Sequence, residues 1–405
     1  MTPYRLVLFH PMDPRGRKLG GIETHIRLLL AAHPHDFTML FVGVDELGDA
    51  PAGNVTQIQI EGRNVGFLPV LRAEQGSINT AATTLGGSLT LRFAASAVRH
   101  LGALRRAIGG ARCSAEIERY EFALVPKVLR LPSVQWVHNE GSKDDKMDSL
   151  LKRYWFVHSS SERIALALAD RIVAVNSNIA AHVARVYPRA ARKTDVMSVS
   201  VDTRRFRPTA FDLRDGIFRI CFAGRLDEFK DPPLMFDVLS RLRTKLDGKL
   251  EFHYVGATDP GRYGEFAKAQ EFTIRHGAQN PDGVRDIMAR SHAGILTSYF
   301  EGLPCYLLEM LASGRPVGAI DLPQYKPLIL PGISGALIPR SEPREKCAEA
   351  LANAFASLWQ DITRGCVDPV RLHTLVEPYS VETQFGRLFA IHRALQDGLA
   401  VSATR

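Results

Sequence analysis

The stretch Phe218-Arg219-Ile220-Cys221-Phe222-Ala223-Gly224-Arg225-Leu226-Asp227-Glu228-Phe229-Lys230-Asp231-Pro232 runs from an apolar strand into a glycine and a charged loop. Pro232 then opens a helix expected to reach Leu246. The same succession has already occurred once: strand Tyr4–Phe9, loop His10–Gly21, helix Ile22–Ala32. Upstream of Phe218, further strands are expected at Phe37–Val44, Val55–Ile60, Val134–His138, Arg171–Val175 and Asp195–Val199, and Glu61–Gly87 reads as a long loop. Downstream, strands are expected at Lys249–Val255, Glu271–Arg275, Gly294–Thr297 and Pro316–Ile320, with a last helix over Val381–Leu395. Strands alternating with helices build parallel sheets covered on both faces. The expectation is an α/β chain of two doubly wound, Rossmann-like domains, 1–205 and 206–380, joined by a linker around Asp202–Asp215. Ligands of such folds sit beyond the carboxyl ends of the strands, here in a cleft between domains.

Composition agrees. The chain has 405 residues, 45% hydrophobic and 23% charged, enough for two cores and ordinary for a globular protein. Five cysteines standing singly exclude a disulfide scaffold and, lacking a C-x-x-C pair, argue against structural zinc. Leu6–Phe9 is too short for a signal core. No apolar run reaches the ~18 residues of a membrane span, and Ile164–Val175 is broken by Asp170-Arg171. A cytoplasmic protein is expected.

The net charge of +8 is confined to one half. Residues 1–205 hold 27 basic and 19 acidic side chains, the remainder 24 of each. Such asymmetry points to an anionic partner. From Leu89, apolar residues recur at helical spacing as Phe93, Ala97, Leu101, Leu104 and Ile108, while Arg92, Arg99, Arg105 and Arg106 lie off the stripe. A second amphipathic stretch runs from Met147 through Leu151, Tyr154 and Trp155, beside Lys146, Lys152 and Arg153. Each is either a helix on an anionic membrane surface or a surface helix with a solvated basic face. Nucleic acid is not expected as a partner, since no helix-turn-helix, finger spacing or aromatic-rich basic strand is present.

Four constellations follow expected strands. In Ser298-Tyr299-Phe300-Glu301-Gly302-Leu303-Pro304-Cys305-Tyr306-Leu307-Leu308-Glu309, Pro304 suits a first helical position and Gly314 a stop. Glu301 then precedes the helix, Glu309 lies in its second turn, and the helix N-terminus offers N–H groups to a phosphate. A capping Glu and a surface Glu would look the same. Arg225 and Lys230 suit a diphosphate, one as a fork and one as a point charge, though either is also ordinary loop charge. Leu19-Gly20-Gly21-Ile22-Glu23-Thr24-His25 lets backbone approach a ligand but is not G-x-G-x-x-G, so a dinucleotide fingerprint is not indicated. In Gln135-Trp136-Val137-His138-Asn139-Glu140, His138 is placed to bond a sugar hydroxyl or move a proton; a structural histidine is the other reading.

Gly20-Gly21-x-Glu23, Val201-Asp202 with Phe206-x-Pro208, Gly224-Arg225 with Lys230, and Glu301-x7-Glu309 followed by Leu311-Ala312-x-Gly314-x-Pro316-Val317 occur in this order. Across nearly the whole chain this resembles the GT-B retaining glycosyltransferases of family 4, glycosyltransferase group 1. The resemblance implies transfer of a sugar from a nucleotide diphosphate-sugar, of the UDP or GDP type, with retention and with no cofactor or obligatory metal. It implies that Arg225 and Lys230 hold the diphosphate, with Gly20 and Gly21 lining it from the first domain. Glu301, beside Gly302 and Leu303, would meet the donor sugar, Glu309 the ribose, and His138 the transferred sugar. Arg275-His276-Gly277-Ala278 would meet the base. The second domain would bind the donor and the first the acceptor, with a last helix, 381–396, packing back on the first. Glu301, His138, Arg225 and Lys230 are the expected catalytic set.

Two departures stand out: Val199-Ser200 replaces Asn-Gly, and Lys230-Asp231 replaces Lys-Gly. The loop Leu322-Pro323-Gln324-Tyr325 also lacks the common glycine-rich form. Two cations and a helix N-terminus would stabilise a leaving phosphate, with attack on the front face. The implied setting is surface polysaccharide or glycolipid synthesis, with a glycan or lipid-linked acceptor at the inner membrane face. The alternatives are a nucleotide-sugar epimerase, a non-catalytic nucleotide-sugar binder, or a DNA- or membrane-binding structural protein.

Overall fold

The computed structural model describes residues 3–16, 20–73, 87–138 and 155–403, with side chains except at 155–158 and 399–403. The chain divides into two compact units, residues 1–198 with 381–405, and residues 199–380.

Among the described residues, the first unit has eight strands: β1 (Tyr4–Phe9), β2 (Phe37–Asp45), β3 (Thr56–Ile60), β4 (Arg63–Arg72), β5 (Cys113–Ile117), β6 (Ser133–Val137), β7 (Arg171–Ala174) and β8 (Thr194–Val196). Their order is β3-β4-β2-β1-β5-β6-β7-β8. Only the β3–β4 pairing is antiparallel. Strand pleating sends Leu6 and Leu8 to one core layer and Val7 and Phe9 to the other, which is why β1 reads as an unbroken apolar run.

Two strands lie where the sequence pattern pointed elsewhere. β4 occupies the expected loop Glu61–Gly87. Its Val65, Phe67, Leu68 and Val70 are buried, but Gly66 and Pro69 interrupt the signal. Pro69 sits opposite Gly43, next to a register shift that accommodates a residue without an N–H. The rest of that loop, 74–86, lies outside the described residues. β5 escapes notice because it carries Ser114 and Glu116 inward, both unexposed. Trp136 Nε1 donates to Glu116, His392 Nε2 bonds the other Glu116 oxygen, and Ser114 Oγ meets His392 Nδ1 at 2.8 Å and Gln396 Nε2 at 2.7 Å. This network seats the helix Val381–Ala403 on the sheet.

The single stripe expected from Leu89 is two helices, Leu89–Arg99 and Leu101–Ile108. His100 separates them, its Nδ1 bonded to the Ser96 carbonyl at 2.9 Å. The stripe survives the bend, since Phe93, Ala97, Leu104 and Ile108 are buried, and Arg92, Arg99, Arg105 and Arg106 are exposed. The second amphipathic stretch lies outside the described residues up to Tyr154.

The second unit has six parallel strands: β9 (Phe218–Ala223), β10 (Leu250–Val255), β11 (Thr273–Gly277), β12 (Ala293–Leu296), β13 (Val317–Ile320) and β14 (Gly335–Ile338), in the order β11-β10-β9-β12-β13-β14. β14 is a short strand that the sequence pattern did not mark. Asp202–Asp215 is not a free linker. Val201 and Phe206 are buried in the core of this unit, and Val201 bridges Ser380.

Candidate functional site

β9 and β12 are neighbours in the sheet, but the chain leaves β9 toward β10 on the other side. Their carboxyl ends therefore mark a switch in strand order, where open α/β sheets bind ligands. The two loops that leave these ends are tied together. Lys230 Nζ lies 2.6 Å from Glu301 Oε1, and Ser298 Oγ donates to the same oxygen at 2.9 Å. Both charged side chains are largely covered, 15% and 12% exposed. Thr297 Oγ1 donates to the Lys230 carbonyl at 2.7 Å, and the Tyr299 N–H to the Phe229 carbonyl at 2.8 Å. Phe229 and Phe300 stack with centroids 5.1 Å apart. Gln324 holds the Glu301 carbonyl at 2.7 Å.

Arg340, just past β14, completes the frame and was not marked by the sequence. It pairs with Asp231 at 2.7 Å, donates to the Thr297 carbonyl at 2.5 Å, and lies 3.8 Å from the Tyr299 ring centroid. Asp231 explains one departure from the family pattern. Its φ of 52° is left-handed, a conformation that favours glycine. Asp231 also caps the helix Pro232–Lys245 by accepting the Leu234 N–H at 3.3 Å, a bond that glycine could not make.

The other expected donor residues are dispersed around this frame. Arg225 is half-exposed and pairs with Asp227 at 3.1 Å; it makes no described contact with Lys230 or Glu301. Gly302 and Leu303 lie between Glu301 and the helix Cys305–Ala312. Pro304 is not the first helical residue but the extended residue before it, with ψ 129°. Glu309 is in the second turn, and burial pushes its carboxyl up to about 7 against a counter-pull from Arg205. His276 and Gly277 close β11. The His276 ring meets His253 at 3.0 Å, and the Gly277 carbonyl accepts the Gly256 N–H at 2.9 Å.

In the first unit, Gly20 and Gly21 stand at the start of the helix Gly21–Ala31. A Cβ on Gly20 would fall 2.2 Å from a Glu23 carboxylate oxygen, and Glu23 is already held by His10 at 3.1 Å. His138 follows β6, and its Nε2 is 2.6 Å from Glu118 Oε2. Glu118 follows the neighbouring strand β5 and is unexposed, with Oε1 3.9 Å from His25 Nε2. Sequence reading missed Glu118, His10 and His25. The available signal was position: Glu118 and His10 each directly follow a strand. Leu19, Asn139 and Glu140 lie outside the described residues.

Among the described residues, no group of three or more His, Cys, Asp or Glu side chains is arranged to hold a metal ion. No described helix is long and apolar enough to cross a membrane.

Solved structures resemble the whole chain. Sucrose-phosphate synthase from Thermosynechococcus elongatus superposes with a TM-score of 0.72 at 15% identity, covering 96% of this chain and 99% of that one. The pneumococcal O-GlcNAc transferase GtfA, solved with UDP and GlcNAc, gives 0.66 at 12% identity, covering 97% and 99%. Anabaena HepE with UDP and glucose gives 0.64 at 14%, covering 99% of each. The chain thus has the GT-B fold. Residues 217–361, most of the second unit, match the family model "Glycosyl transferases group 1". A D-inositol 3-phosphate glycosyltransferase of Geodermatophilus obscurus is 27% identical over 208 residues, 46% of each chain. One from Kribbella flavida is 23% identical over 234 residues, 53% of this chain and 54% of that one. The matched stretches thus span about half the length of each relative.

Proposed function

We propose that this chain transfers a sugar from a nucleotide diphosphate-sugar, of the uridine or guanosine type, to a glycan or lipid-linked acceptor, with retention at the anomeric carbon and without an obligatory metal. The supporting observation is the Lys230–Glu301 pair at the strand-order switch of the second unit. An ammonium group held there by one carboxylate is a ready phosphate ligand. A diphosphate takes the place of Glu301 on Lys230, and the released carboxylate is left to accept from sugar hydroxyls. UDP in the GtfA and HepE structures supports the donor class.

In this proposal Lys230 and Arg225 hold the diphosphate. The start of the helix after Gly302 and Leu303 adds its dipole. Glu309 accepts from the ribose, and His276 and Gly277 border the base. As the bond between the anomeric carbon and the phosphate oxygen breaks, negative charge grows on the leaving phosphate, where preorganised cations lower the barrier. The acceptor oxygen attacks from the side the phosphate leaves, and its proton passes to that phosphate. The new bond therefore keeps the anomeric configuration. The exposed arginines of Leu89–Ile108 support a peripheral place at an anionic membrane surface, on its cytoplasmic face, and a role in surface polysaccharide or glycolipid synthesis.

The test has two parts. UDP or GDP should raise the melting temperature of the wild-type protein and not that of Lys230→Ala. The product formed from a matching α-linked donor should then be α-linked by NMR. Indifference to every nucleoside diphosphate removes the donor assignment, and a β-linked product removes retention.

A further inference from the structure

Beyond Lys230 and Glu301, the first unit holds a buried acid–imidazole pair at the carboxyl edge of its sheet. Glu118 and His138 leave adjacent parallel strands, β5 and β6, one residue past the ends of both. This places Glu118 Oε2 2.6 Å from His138 Nε2. The Trp136 ring stacks on His138 at 5.8 Å, and His25 meets Trp136 edge-on at 4.7 Å. The Glu118 side chain has no exposed surface, and its Oε1 has no hydrogen-bond partner. No Lys or Arg pairs with Glu118 among the described residues. The titratable groups that face the pair are His25 and Glu23 on the helix Gly21–Ala31, Glu116 two residues back on β5, and Arg119. Arg119 Nη1 is engaged by Thr90 at 3.0 Å.

We propose that Glu118 is a positioning residue: as a carboxylic acid it donates to His138 Nε2 and fixes the imidazole in the tautomer protonated at Nδ1. His138 then presents an N–H donor, not a base, to an oxygen of a sugar ligand. The identity of that ligand rests on the function proposed above; the tautomer does not. The geometry favours the acid. An ionised Glu118 would leave Oε1 as a buried anionic oxygen without a donor, whereas the acid leaves there only a neutral carbonyl oxygen, a smaller cost. Burial raises the Glu118 carboxyl and lowers His138, so both move toward the neutral pair. His25, also lowered by burial, adds no positive charge beside it. A neutral imidazole whose Nδ1 is a donor suits a hydroxyl or ring oxygen. It also leaves the acceptor proton to the departing phosphate.

The test is a long-range 1H–15N correlation spectrum of the full chain labelled with 15N-histidine, recorded between about pH 5.5 and 8. The His138 signals are assigned by their loss in His138→Gln. The wild type should show a protonated Nδ1 and a bare Nε2 throughout. Glu118→Gln, whose amide can also donate to Nε2, should show the same. Glu118→Ala should show mixed tautomers, with the proton shared between Nδ1 and Nε2. A wild-type Nε2 that carries the proton, or a Glu118→Ala spectrum like the wild type's, overturns the proposal. The wild-type spectrum alone decides it if Glu118→Ala does not fold. With UDP-glucose as probe donor, Glu118→Gln should keep turnover within about threefold, while Glu118→Ala should lose about tenfold or more in kcat with little change in KM. A wild type that shows the Nδ1–H tautomer but binds no nucleotide would refute the donor assignment and leave the pair standing.

Discussion

Lys230 and Glu301 are 71 residues apart in the chain, yet their charged atoms lie 2.6 Å apart. The pair ties the loop after β9 to the loop after β12. On the proposed donor site, a diphosphate would displace Glu301 from Lys230. Lys230→Ala should weaken UDP binding by about tenfold or more and cut transfer by about a hundredfold or more. Glu301→Gln should separate the two effects. Removing the competing carboxylate should tighten UDP binding a few-fold while still abolishing most transfer. Titration calorimetry with UDP alongside a turnover assay checks this, and equal loss of both in Glu301→Gln would be the contrary result.

Glu309 gives the site a pH signature. Its folded value of about 7 lies above the ordinary 4.5. Between those values the folded chain holds a proton that the unfolded chain has lost. The stabilisation this proton brings is fully present below about 4.5 and is lost as the pH rises through about 7. Glu309→Gln should flatten that decline in a melting-temperature profile. If Glu309 accepts from the ribose it must be ionised, so UDP binding should release a proton and tighten as the pH rises through the same range. Calorimetry in two buffers of different ionisation enthalpy measures the proton, and Glu309→Gln should release none there.

Gly314 ends the helix Cys305–Ala312 with φ +74°. A Cβ there would lie 2.5 Å from Pro369 Cβ and 2.9 Å from Pro369 Cα. Gly314→Ala combines a strained backbone with a collision against a helix start, and should cost the second unit about 2–4 kcal/mol. Urea unfolding of that variant checks the magnitude.

Arg92, Arg99, Arg105 and Arg106 form an exposed basic face over Phe93, Ala97, Leu104 and Ile108, which are buried. Replacing all four arginines by Glu should leave the melting temperature nearly unchanged, since exposed positions contribute little. Binding to phosphatidylglycerol vesicles at low salt should be lost. Cosedimentation with and without added salt checks this, and equal binding by the variant would move the membrane contact elsewhere.

The fold was legible wherever strands are apolar throughout. β1, β9 and β10 follow the sequence pattern to within a residue. It was least legible where a strand's inward residues are polar. β5 looks like no buried strand because Ser114 and Glu116 find their partners on a helix 276–282 residues away. β4 was hidden by Gly66 and Pro69, whose effect a local register shift absorbs. In the second unit, Lys230, Glu301 and Glu309 were legible because loop and helix boundaries follow local rules. Arg340 and Ser298 were not, because their value lies in reaching Asp231 and Glu301. Glu118 was invisible for the same reason: only strand adjacency joins it to His138.

The helix Val381–Ala403 belongs to the first unit although it comes after the whole second one. As the chain emerges from the ribosome, Glu116 and Ser114 must wait for His392 and Gln396. The second unit can finish before the first, a reversal of the usual order in which the N-terminal domain folds early. Nascent chains stalled short of His392 should therefore carry a first unit still vulnerable to protease and a second that already resists it.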